Sequence, residues 1–271
     1  MLNQRWDEGR IRWRPDDVID PSKYGVVQVP DKGVIEPFIA RHHYEHSKLP
    51  STRFRFLMVE RQGLKDLVVG AANFGVPCHR NVIGNVFPMI DPNYEGVELN
   101  RLVLLDRIAG NGESFFVAET FRRLKKQGVE GVVSFSDPVP RKAESGALVM
   151  PGHWGCVYQA LNGIYLGRGS AGAKRIFKSD GTSFSHRSKT KASTGDVGGN
   201  GAIKQLCDKG ASWPRPDEDV KAWLSYWMDR LTYRVDHPGC HKYAWAISSV
   251  LRRNVKFPVL PYPKTIDGEA A

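Results

Sequence analysis

The chain has 271 residues, 41% hydrophobic and 25% charged, a balance that excludes wholesale disorder and suffices for a buried core. No apolar run approaches the roughly 20 residues that span a bilayer, and residues 1–14, with Trp6, Asp7 and Glu8, lack the apolar stretch of a signal peptide. Lys and Arg number 39 against 29 Asp and Glu, a net charge of +10, and the excess sits behind residue 150, where 18 basic side chains face 10 acidic ones; such a balance favours a polyanionic partner, nucleic acid above all.

Residues 1–23 read as an N-terminal arm to a single domain spanning 1–271. A strand is expected over residues 24–29. A helix follows over 35–46, with Phe38, Ile39 and His42 at helical spacing after Ile35 and Pro37 in the first turn. Alternation over 53–61, a Gln62-Gly63 turn and residues 67–76 predict a hairpin. Another strand covers 97–105. A helix opens at Asn111 or Gly112 and runs to Gln127, with Val117, Phe121 and Leu124 as its inner stripe and Gly128 as its stop. Residues 129–135 form a buried strand that ends at Asp137-Pro138. A short helix over 154–161 precedes a strand at 164–166. Asp180-Gly181 turns a second hairpin. Residues 183–201, rich in Ser, Thr, Lys and Gly, read as a mobile loop within a basic insertion over 168–216. Helices over 202–209 and 217–231 and strands over 232–235 and 242–247 complete the chain. The mixture of alternating elements and a strand meander predicts an α/β fold: a mixed, mostly antiparallel sheet flanked by helices. Cys78, Cys156, Cys207 and Cys240 show no CxxC spacing and read as reduced thiols of a cytoplasmic protein.

This element order resembles the GNAT acyltransferase fold. In that fold a strand leads through a loop into the start of the long helix, where backbone N–H groups hold the donor's pyrophosphate. Here the loop is Arg107-Ile108-Ala109-Gly110-Asn111-Gly112-Glu113-Ser114. It matches the usual basic-glycine signature poorly, and Glu113 is unfavourable beside phosphate. Read together, several segments resemble the Mom family of phage DNA-modification proteins over about residues 34–247. They are His42-His43-Tyr44-Glu45-His46-Ser47, Glu98-Leu99-Asn100-Arg101-Leu102-Val103, Asn111-Gly112-Glu113-Ser114-Phe115, Val133-Ser134-Phe135-Ser136-Asp137-Pro138, Gly155-Cys156-Val157-Tyr158-Gln159-Ala160-Leu161-Asn162 and His237-Pro238-Gly239-Cys240-His241-Lys242-Tyr243. The resemblance implies modification of the adenine N6 amine in double-stranded DNA with a carbamoylmethyl (acetamido-type) group, protecting phage DNA from host restriction. It further implies an acyl-CoA or related acyl or aminoacyl donor, iron as a conceivable metal, and by analogy a homodimer.

The adenine amine is a poor nucleophile, so a site must orient it and remove a proton, and the base must leave the stack. Tyr158 is the candidate proton donor, placed by the resemblance on the helix after the fifth strand. Ser136 and Asp137 stand at a strand end: Ser136 to bind base or donor, Asp137 either to take the amine proton or to cap the turn before Pro138. His42 joins them as a catalytic candidate. Arg101, mid-strand among apolar residues, meets donor phosphate, DNA backbone or Glu98; with Asn111, Gly112 and Ser114 it makes the donor set. His43, Tyr44, Ser134, Trp154 and Asn162 are substrate candidates, and Lys174, Arg175, Lys178, Arg187, Lys189 and Lys191 the DNA contacts. His42 with His46, and His237 with Cys240 and His241, have ligand-like spacing but no obvious further ligand, so no metal site is assigned. The competing readings are a GNAT N-acyltransferase using acyl-CoA on a small-molecule, protein or tRNA amine, and a nucleic-acid-binding protein with an inactive acyltransferase core.

Overall fold

The structure, a computed structural model, describes residues 3–7, 10–14, 18–44, 49, 51–150 and 152–264. The chain divides into two compact units, Met1–Pro138 with Gly152–Gly169 and Cys240–Ala271, and Val139–Pro151 with Ser170–Gly239.

In the first unit β1 (Asn3–Asp7) and β2 (Arg10–Arg14) pair with each other. β3 (Tyr24–Gln28), β4 (Phe54–Gln62), β5 (Lys65–Gly75) and β6 (Gly96–Leu104) form an antiparallel meander. Alternation sorts its side chains: Phe54, Phe56 and Met58 turn to one face, Leu57 and Val59 to the other. α1 (Lys32–His42) starts at Asp31, whose carboxylate accepts the Gly33 N–H. The apolar spacing placed this start at Ile35; the cap places it earlier, so Pro37 lies inside the helix and not in its first turn. α2 (Asn81–Gly84) precedes β6, and α3 (Gly112–Lys125) follows it, burying Val117 and Leu124 as expected. Then come β7 (Gly131–Ser136), α4 (Cys156–Ala160), β10 (Ile164–Arg168), β14 (His241–Ala246) and α8 (Ser249–Arg253).

The seven-stranded sheet runs β10-β14-β7-β6-β5-β4-β3. α3 and α4 cover one face with Phe116, Val117 and Tyr158. α1 covers the other face at β4 and β5 with Ile35 and Ile39, and α2 and α8 cover it at β7 and β14 with Ile83 and Leu251. The fold is therefore mixed α/β, a mostly antiparallel sheet flanked by helices. The β6–β7 pair is its parallel junction, formed because α3 carries the chain back across the sheet. That pairing runs from Gly96–Gly131 to Leu99–Ser134 and no farther among the described residues. Beyond it β6 continues along β5 to Leu104 and β7 along β14 to Ser136. The sheet parts at this point, and the notch lies at the strands' carboxyl ends, where open α/β sheets take ligands.

In the second unit β8 (Arg141–Lys142) pairs with β9 (Leu148–Met150). β11 (Gly172–Phe177) lies between β12 (Ser183–Phe184) and β13 (Thr232–His237). The expected hairpin is present: Arg175 faces Phe184, and the Asp180 carboxylate accepts the Thr182 N–H. α5 (His186–Thr194), α6 (Gly199–Cys207) and α7 (Val220–Leu231) share a core with the sheet, built on Phe177, Phe184, Leu206, Trp223 and Leu224. Residues 183–201, expected as a mobile loop, are thus corrected to β12, α5 and the start of α6. Ser185 caps α5 by accepting the Ser188 N–H at 3.0 Å, Ala192 is its buried contact, and Gly195 ends it at φ 72°. Among the described residues no helix is long and apolar enough to cross a membrane.

Candidate functional site

Ser134 and Ser136 alternate with Phe135 on β7, so they share a face, and both are fully buried. The Ser134 hydroxyl donates to the Leu99 carbonyl on β6 at 2.7 Å. Ser136 Oγ has no hydrogen-bond partner among the described residues. A buried hydroxyl in that state costs about 1–3 kcal/mol, which is tolerable where the group serves a ligand. Across the antiparallel ladder Ser134 faces Tyr243 and Ser136 faces His241, and paired residues project to the same side. The Tyr165 hydroxyl, from β10, lies 2.8 Å from His241 Nδ1.

Tyr158 from α4 closes over this row. Its ring centroid is 5.4 Å from that of Tyr243 and 5.5 Å from that of Trp245. Burial pushes the Tyr158 phenol above its ordinary pKa, and a hydrogen bond with Ser134 pulls the other way; the hydroxyl is protonated at neutral pH. α4 starts at Gly155, whose φ is 85°. A Cβ there would lie 2.7 Å from the Tyr243 ring and 2.9 Å from that of Tyr158, so only glycine lets the helix start so close. Tyr243 donates its hydroxyl to the Trp154 carbonyl and accepts from Gln159 Nε2 at 3.1 Å, which ties the start of α4 to β14.

One ionisable group, His153, completes the row, and a second, Glu98, stands on the other face of the sheet. His153 donates its backbone N–H to the Asp137 carbonyl at 2.9 Å. Its ring centroid is 6.3 Å from those of both Tyr158 and Tyr44. Burial holds its imidazole down to about 4, with the Asp137 charge opposing; His153 is neutral at pH 7. Glu98 lies on β6 just before the parting of the strands, between Val97 and Leu99 and paired with Val133, so its side chain leaves the sheet on the face opposite the serines. Burial pushes its carboxyl up to about 7, with Arg101 and Lys242 opposing. Both protonation states of Glu98 are therefore populated at neutral pH.

Of the residues expected from sequence, Ser134, Ser136, Asp137 and Tyr158 come together, and Tyr44 joins them through His153. His43 is buried, with its ring 4.3 Å from that of Tyr44. His42 is tilted against Phe38 of its own helix, at 4.6 Å, and His46 lies outside the described residues. Trp154 is half-buried, with its carbonyl anchored by Tyr243. Arg101 donates to the Asn100 carbonyl at 2.7 Å, at a bulge where the β5–β6 register shifts. Asn162, exposed at φ 55°, stands beyond the opposite end of β14 from Ser136. At the start of α3, Asn111 Oδ1 accepts the Ile19 N–H at 2.7 Å, Ser114 Oγ donates to the Asn111 carbonyl at 2.8 Å, and Gly112 and Glu113 are buried. This helix start is closed by protein, and a carboxylate in its first turn opposes phosphate; it does not fit a pyrophosphate. Of the imidazoles with ligand-like spacing, His241 meets Tyr165 at Nδ1, and His237 Nδ1 accepts the Gly239 N–H at 3.1 Å.

In the second unit, 14 Lys and Arg stand against 9 Asp and Glu. Arg187 and Lys189 are exposed on α5 and Lys191 is half-buried there; Lys174 and Lys178 are half-buried on and beside β11, and Arg175 is ion-paired with Asp229 at 3.1 Å. Sequence reasoning passed over His153, Tyr165 and Tyr243 as site residues, and Glu98 as a buried carboxyl. Glu98 had a visible signal, a carboxylate alone in an apolar strand. His153 had none beyond its place beside Trp154.

The family model that matches the chain is that of the Mom protein family, over residues 24–264. No curated protein matches. Similar solved structures include a GNAT family N-acetyltransferase from Escherichia coli in complex with CoA (14% identity, 46% of this chain and 67% of that one, TM-score 0.31). Another is an N-acetyltransferase from Staphylococcus aureus Mu50 (11% identity, 83% of this chain and 99% of that one, TM-score 0.35).

Proposed function

The chain belongs to the Mom protein family, and from that membership we propose that it is a transferase that modifies DNA, adding a carbamoylmethyl (acetamido-type) group to the adenine N6 amine and so shielding phage DNA from host restriction. The observation that carries this reading is the set of groups at the parting of β6 and β7: an unpartnered buried hydroxyl, a protonated phenol and the Asp137 carboxylate beside a neutral His153. An adenine amine needs such a set, because its lone pair is delocalised into the ring and it attacks only as a proton is removed.

In this reading Ser136 Oγ holds a polar edge of the flipped base. Asp137, at the end of β7 and beside His153, takes the amine proton. Tyr158, kept protonated by burial, returns a proton to the leaving group. His153, neutral, accepts a hydrogen bond without adding charge, and Trp154 offers a stacking face. A carbamoylmethyl group joins nitrogen through its CH2, so the donor would have to carry its leaving group on that carbon, where Tyr158 could protonate it; an acyl-CoA or related acyl or aminoacyl donor would by itself give an N6-amide and a free thiol or hydroxyl. Lys174, Arg187, Lys189 and Lys191 meet phosphates of the duplex. Nucleoside mass spectrometry of DNA from cells expressing the protein tests this: a new adenine derivative, strongly reduced with Tyr158→Phe, is expected. Unaltered deoxyadenosine beside folded, soluble protein overturns it.

A further inference from the structure

A hollow of about 400 Å³ opens in the first unit away from the parting of the strands. Phe121, Trp245 and Ile247 line it, and Arg122 and Lys125 of α3 and Arg252 of α8 stand around it. Trp245 pairs with Val132, whereas His241 pairs with Ser136; four residues of strand put the hollow about 13 Å from the serine. It is a different place from the notch between β6 and β7, and its volume suits a small ligand.

Its chemistry is specific in two ways. Three cationic side chains from two helices converge on it, and no carboxylate is among its lining residues. Arg122 is ion-paired with Glu119, but neither Lys125 nor Arg252 has an ion pair among the described residues. Converging like charges repel, and an anion between them removes that repulsion. The lining beneath is apolar and aromatic: the rings of Phe121 and Trp245 stand 5.6 Å apart, centroid to centroid. Their planes are inclined by 61°, so a planar heterocycle stacks on the half-buried Phe121 and meets the buried Trp245 by its edge. A ligand that is planar at one end and anionic at the other satisfies both halves.

We propose that this hollow is a second binding site, separate from the transfer site, for a nucleotide: the base against Phe121 and Trp245, the phosphate between Lys125 and Arg252. The nucleotide is a free mononucleotide; the same chemistry is present in one nucleotide of a single strand. The ligand sits one ring away from Tyr158, since Trp245 touches both Phe121 and Tyr158.

Calorimetric titration of the full-length protein tests the proposal with AMP, adenosine, inorganic phosphate and a short single-stranded oligonucleotide. AMP is expected to bind at least about tenfold more tightly than adenosine or phosphate, and Lys125→Glu with Arg252→Glu is expected to weaken it at least about tenfold. Thermal unfolding of that double variant should match the parent, because both side chains are exposed. Binding of the oligonucleotide without AMP, lost in the double variant, assigns the same pocket to a strand nucleotide. No binding of either at about 5 mM, or equal binding by the double variant, overturns the proposal. These titrations do not depend on whether adenine in DNA is modified, so the two readings fail separately.

Discussion

Ser136 and Glu98 are both held in states that cost a folded protein stability. For Glu98 the sign of the pH effect follows from its carboxyl being pushed up to about 7 from 4.5. The native state favours the protonated form, so its contribution to stability is complete below pH 4.5 and is lost as pH rises through 7. Glu98→Gln is therefore expected to stabilise the protein at pH 8 by about 1–3 kcal/mol and to change little at pH 4, read from urea unfolding at the two values. Ser136→Ala should leave stability unchanged or raise it by up to about 1 kcal/mol, since the hydroxyl it removes has no partner. Its modification of DNA should nonetheless fall at least about tenfold. Tyr158→Phe should lose about a hundredfold in modification with DNA affinity unchanged. At this scale the sequence was legible where alternation decides, as with Ser134 and Ser136 on one face of β7. It was not legible where a group's character comes from distant chain: His153 is made neutral by burial among elements that lie far from it in sequence.

Elements were legible in proportion to their apolar pattern. The β4–β5 hairpin and α3 could be read because period two and an i, i+4 stripe were strong. α5 was missed because its contact with the core is one small residue, Ala192, so it has no stripe to see. Its cues were local instead, Ser185 as cap and Gly195 as stop. Ala192→Asp should therefore abolish α5 and cost about 3 kcal/mol or more, read as reduced helicity and a lower unfolding midpoint, because it buries an unpaired charge. α4 makes the opposite point. It has only five residues and depends on the turn that starts it. Gly155→Ala places a Cβ against Tyr243 and Tyr158 at a positive φ, and should destabilise by about 2–4 kcal/mol. Modification should fall further than the unfolded fraction explains, since Tyr158 is displaced in the molecules that fold.

For the whole molecule, charge was the most legible property and strand order the least. The basic excess predicts a salt-sensitive partner. Replacing Arg187 and Lys189 by Gln should reduce the slope of log affinity against log salt by about 0.9 for each phosphate that is no longer neutralised, measured on a duplex across a salt series. By contrast, nothing local says that β14 belongs between β7 and β10. Its partner Ser136 precedes His241 by more than a hundred positions, and such pairings leave no trace in local pattern.

The placement of β14 also sets the timing of assembly. The last strand of the sheet to be made is an interior one, and Ser170–Gly239 is synthesised between it and the neighbour at Ile164–Arg168. At 5–20 residues per second a ribosome needs roughly 4–14 s to cover that interval. Throughout it two strand edges stand open on the nascent chain. Translation arrested at Gly239 would leave Tyr158 without the Tyr243 and Trp245 rings it packs on. Chemistry at the parted strands therefore begins only after the second unit has been made, and shielding the open edges in the meantime falls to chaperones or to speed.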